Sequence, residues 1–166
     1  MVRKHIVNRA GQSVLVEDVG PEAMESYARD FFESLGGADF FHRLTTAFHR
    51  LVSADEVLGP LFHRGADTHA KLLAAHYIRM YGTPDLSQAW DPAFLRAHIG
   101  AVLGRRHRDR WLALMRQAGE EIGAPEPGFS DFMASMVIAS GDVTATSRGA
   151  ALARGIRIDR DGEVVG

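Results

Sequence analysis

The spacing of apolar residues changes period near Pro21. Before it, His5-Ile6-Val7 and Val14-Leu15-Val16 are short runs rich in β-branched residues, separated by Asn8-Arg9-Ala10-Gly11. Such runs predict extended structure over residues 1–20, with a candidate hairpin. From Pro21 the period is helical: Met24, Tyr27, Ala28, Phe31 and Leu35 fall on one face, and Gly36-Gly37 ends the run. A second helix carries Phe40, Phe41, Leu44, Phe48, Leu51 and Val52 and ends near Ser53-Ala54-Asp55. Glu56 to Leu61 reads as a short turn-like element broken by Gly59-Pro60. Another helix is predicted from Asp67 to Tyr81, stopped by Gly82-Thr83-Pro84.

Residues 85–90 read as loop. Asp91-Pro92 supplies an N-cap and a first-turn proline for a brief helix that Gly100 weakens. Arg105 to Ile122 is amphipathic, with Trp111, Leu114, Met115, Ala118 and Ile122 on one face. Pro125-Glu126-Pro127-Gly128 separates it from a last helix containing Phe129, Phe132, Met133, Met136 and Val143. Residues 156–165 then alternate around an Asp161-Gly162 turn. The pattern predicts an all-α body over 21–148, an extended segment over 1–20 and a candidate hairpin over 149–166. The two tails could also pair with each other.

Composition narrows the chemistry. The 166 residues suit one domain with a real core, 46% hydrophobic and 24% charged. A net charge of −2 gives no reason to expect nucleic acid as a partner. No apolar stretch reaches the length of a membrane span, and the first residues lack the apolar core of a secretory signal, so a cytoplasmic protein is expected. With no cysteine, disulfides, thiolate metal sites and covalent haem attachment through Cys-x-x-Cys-His are excluded. Eight histidines, however, are more than a bland domain needs.

Two pairs of them stand seven residues apart, His42 with His49 and His69 with His76, so each pair shares a helix face. His69, Leu73, His76, Tyr77 and Met80 form one stripe, mostly apolar yet holding two imidazoles. A buried imidazole costs free energy unless it finds a partner. The plainer explanation for each histidine is partial exposure or a bond to the backbone. Glu-x-x-His and His-Glu-x-x-His spacings are absent, and no spacing supports a zinc site. There is no Gly-x-Ser-x-Gly elbow and no phosphate-binding glycine loop. A haem, by contrast, needs one imidazole and an otherwise apolar slot, which a helical body with isolated histidines can provide.

Ser34-Leu-Gly-Gly-Ala-Asp-Phe-Phe-His-Arg-Leu and Ala47-Phe-His-Arg-Leu-Val-Ser-Ala-Asp-Glu-Val-Leu-Gly-Pro-Leu-Phe62 resemble the opening of a truncated haemoglobin. Leu95-Arg-Ala-His98, then Arg108-Asp-Arg-Trp-Leu-Ala-Leu-Met115, resembles the proximal region of the second group of that family. The likeness spans about Ser34 to Arg148. His98 to Trp111 and His49 to Phe62 are both separations of 13 residues, as the family's pattern requires. The resemblance implies a two-over-two helical sandwich around haem b, with His98 as the proximal iron ligand. It implies that Phe62 packs on the haem and that Trp111 directs its indole N–H at the bound ligand. Trp111 would be core in any fold, and here the two roles coincide. Leu73 would be a distal wall residue with Tyr77 and Met80 nearby. Arg79, Arg96 and Lys71 are candidates for the propionates.

The sequence also departs from the family. His49 stands where a tyrosine is usual, and His69 where the second group usually has a small residue. Ala97 replaces an arginine before the proximal histidine, and Gly82-Thr83-Pro84 replaces Gly-Gly-Pro, followed by a shortened segment. His49, His69 and Trp111 thus become candidate donors on the distal side and the candidate catalytic residues. One neutral hydrogen bond contributes about 1 kcal/mol, roughly five-fold in affinity. A histidine pocket should also respond to pH near about 6.5. His69, or secondarily His49, is an expected internal sixth ligand of the iron. The implied function is binding or transport of oxygen, nitric oxide or carbon monoxide. The alternative is a haem enzyme with peroxidase-like or nitric oxide dioxygenase activity, served by an unidentified reductase. The tails are candidate contacts for a partner or a homodimer.

Overall fold

A computed structural model describes residues 4–7, 13–16, 21–62, 65–82, 94, 96, 98, 99, 101–159, 161 and 163–165. Two strands open the chain, β1 (Lys4–Val7) and β2 (Ser13–Val16), antiparallel with Lys4 opposite Val16 and Val7 opposite Ser13. Among the described residues six named helices follow: α1 (Pro21–Leu35), α2 (Gly37–Ser53), α3 (Gly59–Phe62), α4 (Ala66–Gly82), α5 (Arg105–Glu121) and α6 (Gly128–Ala153). The stop of α4 after Gly82, the loop at 85–90, the Asp91-Pro92 start, Ala97 and Gly100 lie outside the described residues.

The breakers act as their chemistry demands. Gly36 and Gly37 adopt φ of +102° and +62°, a region open to glycine at little cost, and there α1 turns into α2. Asp55 organises the next turn: its Oδ1 accepts the N–H groups of Val57 and Leu58, both at 2.9 Å, and its Oδ2 takes the Arg110 guanidinium at 2.5 Å. Burial opposes ionisation of this carboxyl, but the two N–H bonds and Arg110 outweigh it and hold its pKa below the ordinary value. The Asp55–Arg110 bridge ties the end of α2 to α5.

Helix α2 is the centre of the body, packing chiefly on α4 and α5, while α5 packs on α6. Two helix pairs, α2 with α4 and α5 with α6, are therefore laid together. Phe40, Phe41, Phe48 and Phe132 are fully buried, and each such ring contributes about 1.5–3 kcal/mol by leaving water. Phe41 stacks on Tyr81 with centroids 5.7 Å apart and meets Phe132 edge-on at 5.8 Å. Gly119 allows the α5–α6 approach, because a Cβ there would stand 2.0 Å from the Phe129 ring.

Three expectations are altered or narrowed. Tyr27, assigned to the apolar face of α1, is exposed, whereas Phe31, Phe32 and buried Leu35 in the later turns pack on the body. The tails fold back on themselves within the described residues. β1 pairs with β2, and near the C-terminus Ile158 bridges Val164, with Asp159 N–H donating to the Glu163 carbonyl at 3.0 Å. Helix α6 runs past the expected end of the body at 148, to Ala153.

Candidate functional site

A cleft partly open to solvent lies among α3, α4, α5, α6 and the segment that carries His98. Its wall is mainly apolar, with Leu58, Leu61, Phe62, Leu73, Met80 and Met136 among its residues. The α4 stripe read from the sequence faces it entire: His69, Leu73, His76, Tyr77 and Met80 all line the cleft. The seven-residue spacing of His69 and His76 thus marks the inner face of α4. Its counterpart on α2 divides, since His49 is buried and His42 exposed.

His98 also lines the cleft. Its Nδ1 lies 2.7 Å from the carbonyl oxygen of Phe94, four residues earlier. A carbonyl only accepts, so Nδ1–H donates, and in the neutral ring the lone pair sits on Nε2. The Phe94 ring packs 4.8 Å from His98 and stacks on His76 at 4.0 Å, with planes 6° apart. Backbone and stacking together orient one basic imidazole nitrogen.

At His69, elsewhere on the cleft wall, the arrangement is longer by one ring. His49 Nδ1 lies 2.8 Å from the Thr45 carbonyl, again four residues back, and its Nε2 is 2.7 Å from His69 Nδ1. His69 is at the cleft wall, with its ring 4.8 Å from Phe62; His49 stands behind it and lines a separate groove with Asp67 and Lys71. Burial pushes both imidazoles below their ordinary pKa. For His69 burial, the neighbouring His49 and then His98 bring it down to about 4.

The remaining expected residues divide. Phe62, Leu73, Tyr77 and Trp111 line the cleft, and Trp111 meets Phe48 edge-on at 5.4 Å. Arg79, Arg96 and Lys71 are exposed and lie off its wall. The cation at the wall is instead Arg108, held by α6: Nε donates to Ser140 Oγ at 3.2 Å and Nη2 to the Val137 carbonyl at 2.8 Å. Beside it, His107 Nδ1 accepts the Gly104 N–H at 3.1 Å, which leaves Nε2 as the protonated nitrogen of the neutral ring. Sequence reasoning passed over both residues. The available signal was their position three and four residues before Trp111, hence on its face of α5.

Among the described residues no three His, Asp or Glu side chains converge as they would around a metal ion held by protein ligands alone. The profile of the bacterial-like globin family matches residues 30–144. The chain belongs to this family. Among solved structures, a thermostable hemoglobin from the actinobacterium Thermobifida fusca is 27% identical, with a TM-score of 0.60 over 69% of this chain and 95% of that one. A hemoglobin from Chloroflexus aurantiacus is likewise 27% identical, with a TM-score of 0.59 over 68% of this chain and 95% of the other. The group II truncated hemoglobin of Bacillus anthracis, at 20% identity and a TM-score of 0.60, shares the fold. No curated protein sequence matches.

The two-helix-over-two-helix body is thus a truncated-globin fold, and membership of the globin family implies a haem protein that binds diatomic gases. The residues of this cleft fit that group. An imidazole whose Nδ1–H is held by a backbone carbonyl stands at the wall of an apolar slot, and the donors His107 and Arg108 line the same cleft. Among the described residues no helix is long and apolar enough to cross a membrane.

Proposed function

We propose that this globin binds one haem b non-covalently, with His98 Nε2 as the proximal iron ligand, and takes up a diatomic gas on the side of His69. The single observation that carries the reading is the 2.7 Å bond from His98 Nδ1 to the Phe94 carbonyl at the wall of the cleft. That bond fixes the tautomer a haem iron requires and raises the basicity of the ligating nitrogen. The haem supplies the iron on which the gas binds. Phe62, Leu73 and Tyr77 provide apolar walls that exclude water. His107 Nε2–H and the Arg108 guanidinium are the donors suited to the propionates, in place of Arg79, Arg96 and Lys71. Trp111 is the indole donor for a ligand in the cleft.

Of the two histidines expected to compete for the iron, His69 is the one favoured. Both nitrogens of His49 are engaged, one on Thr45 and one on His69, whereas His69 commits only Nδ1 to this chain of bonds. The pair of imidazoles also suits a second reading, peroxidase-like turnover, because the ring at the wall has a second ring behind it that can share a proton. Nitric oxide dioxygenation is the remaining form of this reading and would require a reductase. Haem titration followed by quenching of tryptophan emission tests the main reading. Saturation at one equivalent is expected, and failure of the wild-type protein to take up haem would refute it.

A further inference from the structure

The short contact between His49 and His69 has a direction, and that direction can be worked out. The Thr45 carbonyl accepts and cannot donate, so the His49 proton sits on Nδ1. In a neutral His49, Nε2 is then a bare acceptor. The 2.7 Å contact with His69 Nδ1 requires a proton between the two nitrogens, and only His69 can supply it. The remaining nitrogen of His69, Nε2, is left with its lone pair. It lies on the side of the ring away from His49, and His69 lines the cleft while His49 does not.

We propose that His49 is a positioning residue that fixes the tautomer of His69, so that a ligand in the cleft meets a hydrogen-bond acceptor at this position instead of an N–H donor. The ligand-facing consequence rests on the haem reading above; the tautomer itself does not. Burial supports the neutral state on which the argument depends, since it disfavours a proton added to either ring. The Thr45 bond and the Asp67 carboxylate both favour a proton on His49, but burial outweighs them and holds its pKa below the ordinary value.

Three consequences separate this arrangement from an ordinary distal histidine. An aprotic diatomic ligand gains no hydrogen bond from His69, and its donor must come from Trp111. A ligand that carries its own O–H or N–H hydrogen, such as hydrogen peroxide, gains an acceptor. His69 is also ready, without any tautomer change, to present its lone pair to the iron when no other ligand is there.

The test uses the ferrous carbon monoxide complex of the full-length protein, which is diamagnetic and places a probe at the ligand position. Nitrogen-15 spectra of the histidine rings should show His69 protonated at Nδ1 and bare at Nε2. Infrared absorption should place the bound carbon monoxide stretch high, because a lone pair faces it. His49→Phe removes the acceptor. His69 should then turn its proton to Nε2, lower the stretch and slow oxygen dissociation about five-fold, the worth of one hydrogen bond. His49→Gln, whose amide oxygen can accept from Nδ1–H, should restore the wild-type stretch. A wild-type His69 protonated at Nε2, or a stretch that does not move in His49→Phe, overturns the proposal. Loss of the Soret band in the wild-type complex would instead overturn the haem reading, so the two failures are distinct.

Discussion

Both sides of the cleft are built on one local device. His98 gives its Nδ1 proton to the carbonyl of Phe94, and His49 gives its own to the carbonyl of Thr45, each four residues back. On the His98 side the ring so held is at the cleft wall itself. On the other side it is one step removed, and a second imidazole, His69, stands between the anchored ring and the cleft. The difference teaches how the two nitrogens are controlled. The main chain sets the His98 tautomer, and no side-chain substitution removes a carbonyl. His69 is set by a side chain, so that wall can change with one mutation.

The largest expected effect comes from breaking the simpler side. His98→Ala should weaken haem retention by more than about 100-fold, measured by haem transfer to an acceptor protein, because even partners outside the ligand shell cost 10–100-fold in comparable sites. Next, Asp55→Ala should lower stability by about 1–3 kcal/mol in urea unfolding, since it strands two N–H groups and the buried end of the Arg110 bridge. This carboxyl titrates below its ordinary value in the fold. Its contribution is thus present above the unfolded pKa of 3.8 and lost as pH falls through the lower folded value.

His69→Leu sharpens the comparison on the other side. The ferric protein without added ligand should change from six-coordinate low-spin to high-spin in its absorption spectrum, while His49→Leu should leave a coordinating ring in place. The smallest effect concerns pH. The sequence suggested a response near 6.5, but His69 stays neutral in the fold down to about 4. The carbon monoxide stretch should therefore hold steady from pH 8 to 5 and fall only as pH approaches that value. Because the folded pKa lies below the unfolded 6.5, protons favour the unfolded chain between the two values, so stability declines as pH drops through that window.

Much of this was legible because its causes are local. Gly36-Gly37 and Pro125 to Gly128 mark helix ends through backbone chemistry, and the period of α4 placed His69, Leu73, His76, Tyr77 and Met80 on one wall. The 13-residue step from His98 to Trp111 brought both to one cleft. What stayed hidden depends on packing between helices. Spacing along α2 says which face His49 occupies, yet not that α4 interposes His69 between it and the cleft. Spacing puts Arg108 on the Trp111 face of α5, yet only the packing of α6 shows what holds its guanidinium at the cleft. Tyr27 fits the apolar face of α1, but the body does not extend far enough to cover it.

The most direct test of the account is the absorption spectrum of the ferrous protein with carbon monoxide, recorded for wild type and His98→Ala after equal haem reconstitution. A sharp Soret band in the wild type and its loss in the variant is the predicted result. An undiminished band in His98→Ala would contradict the assignment of His98 as the iron's anchor.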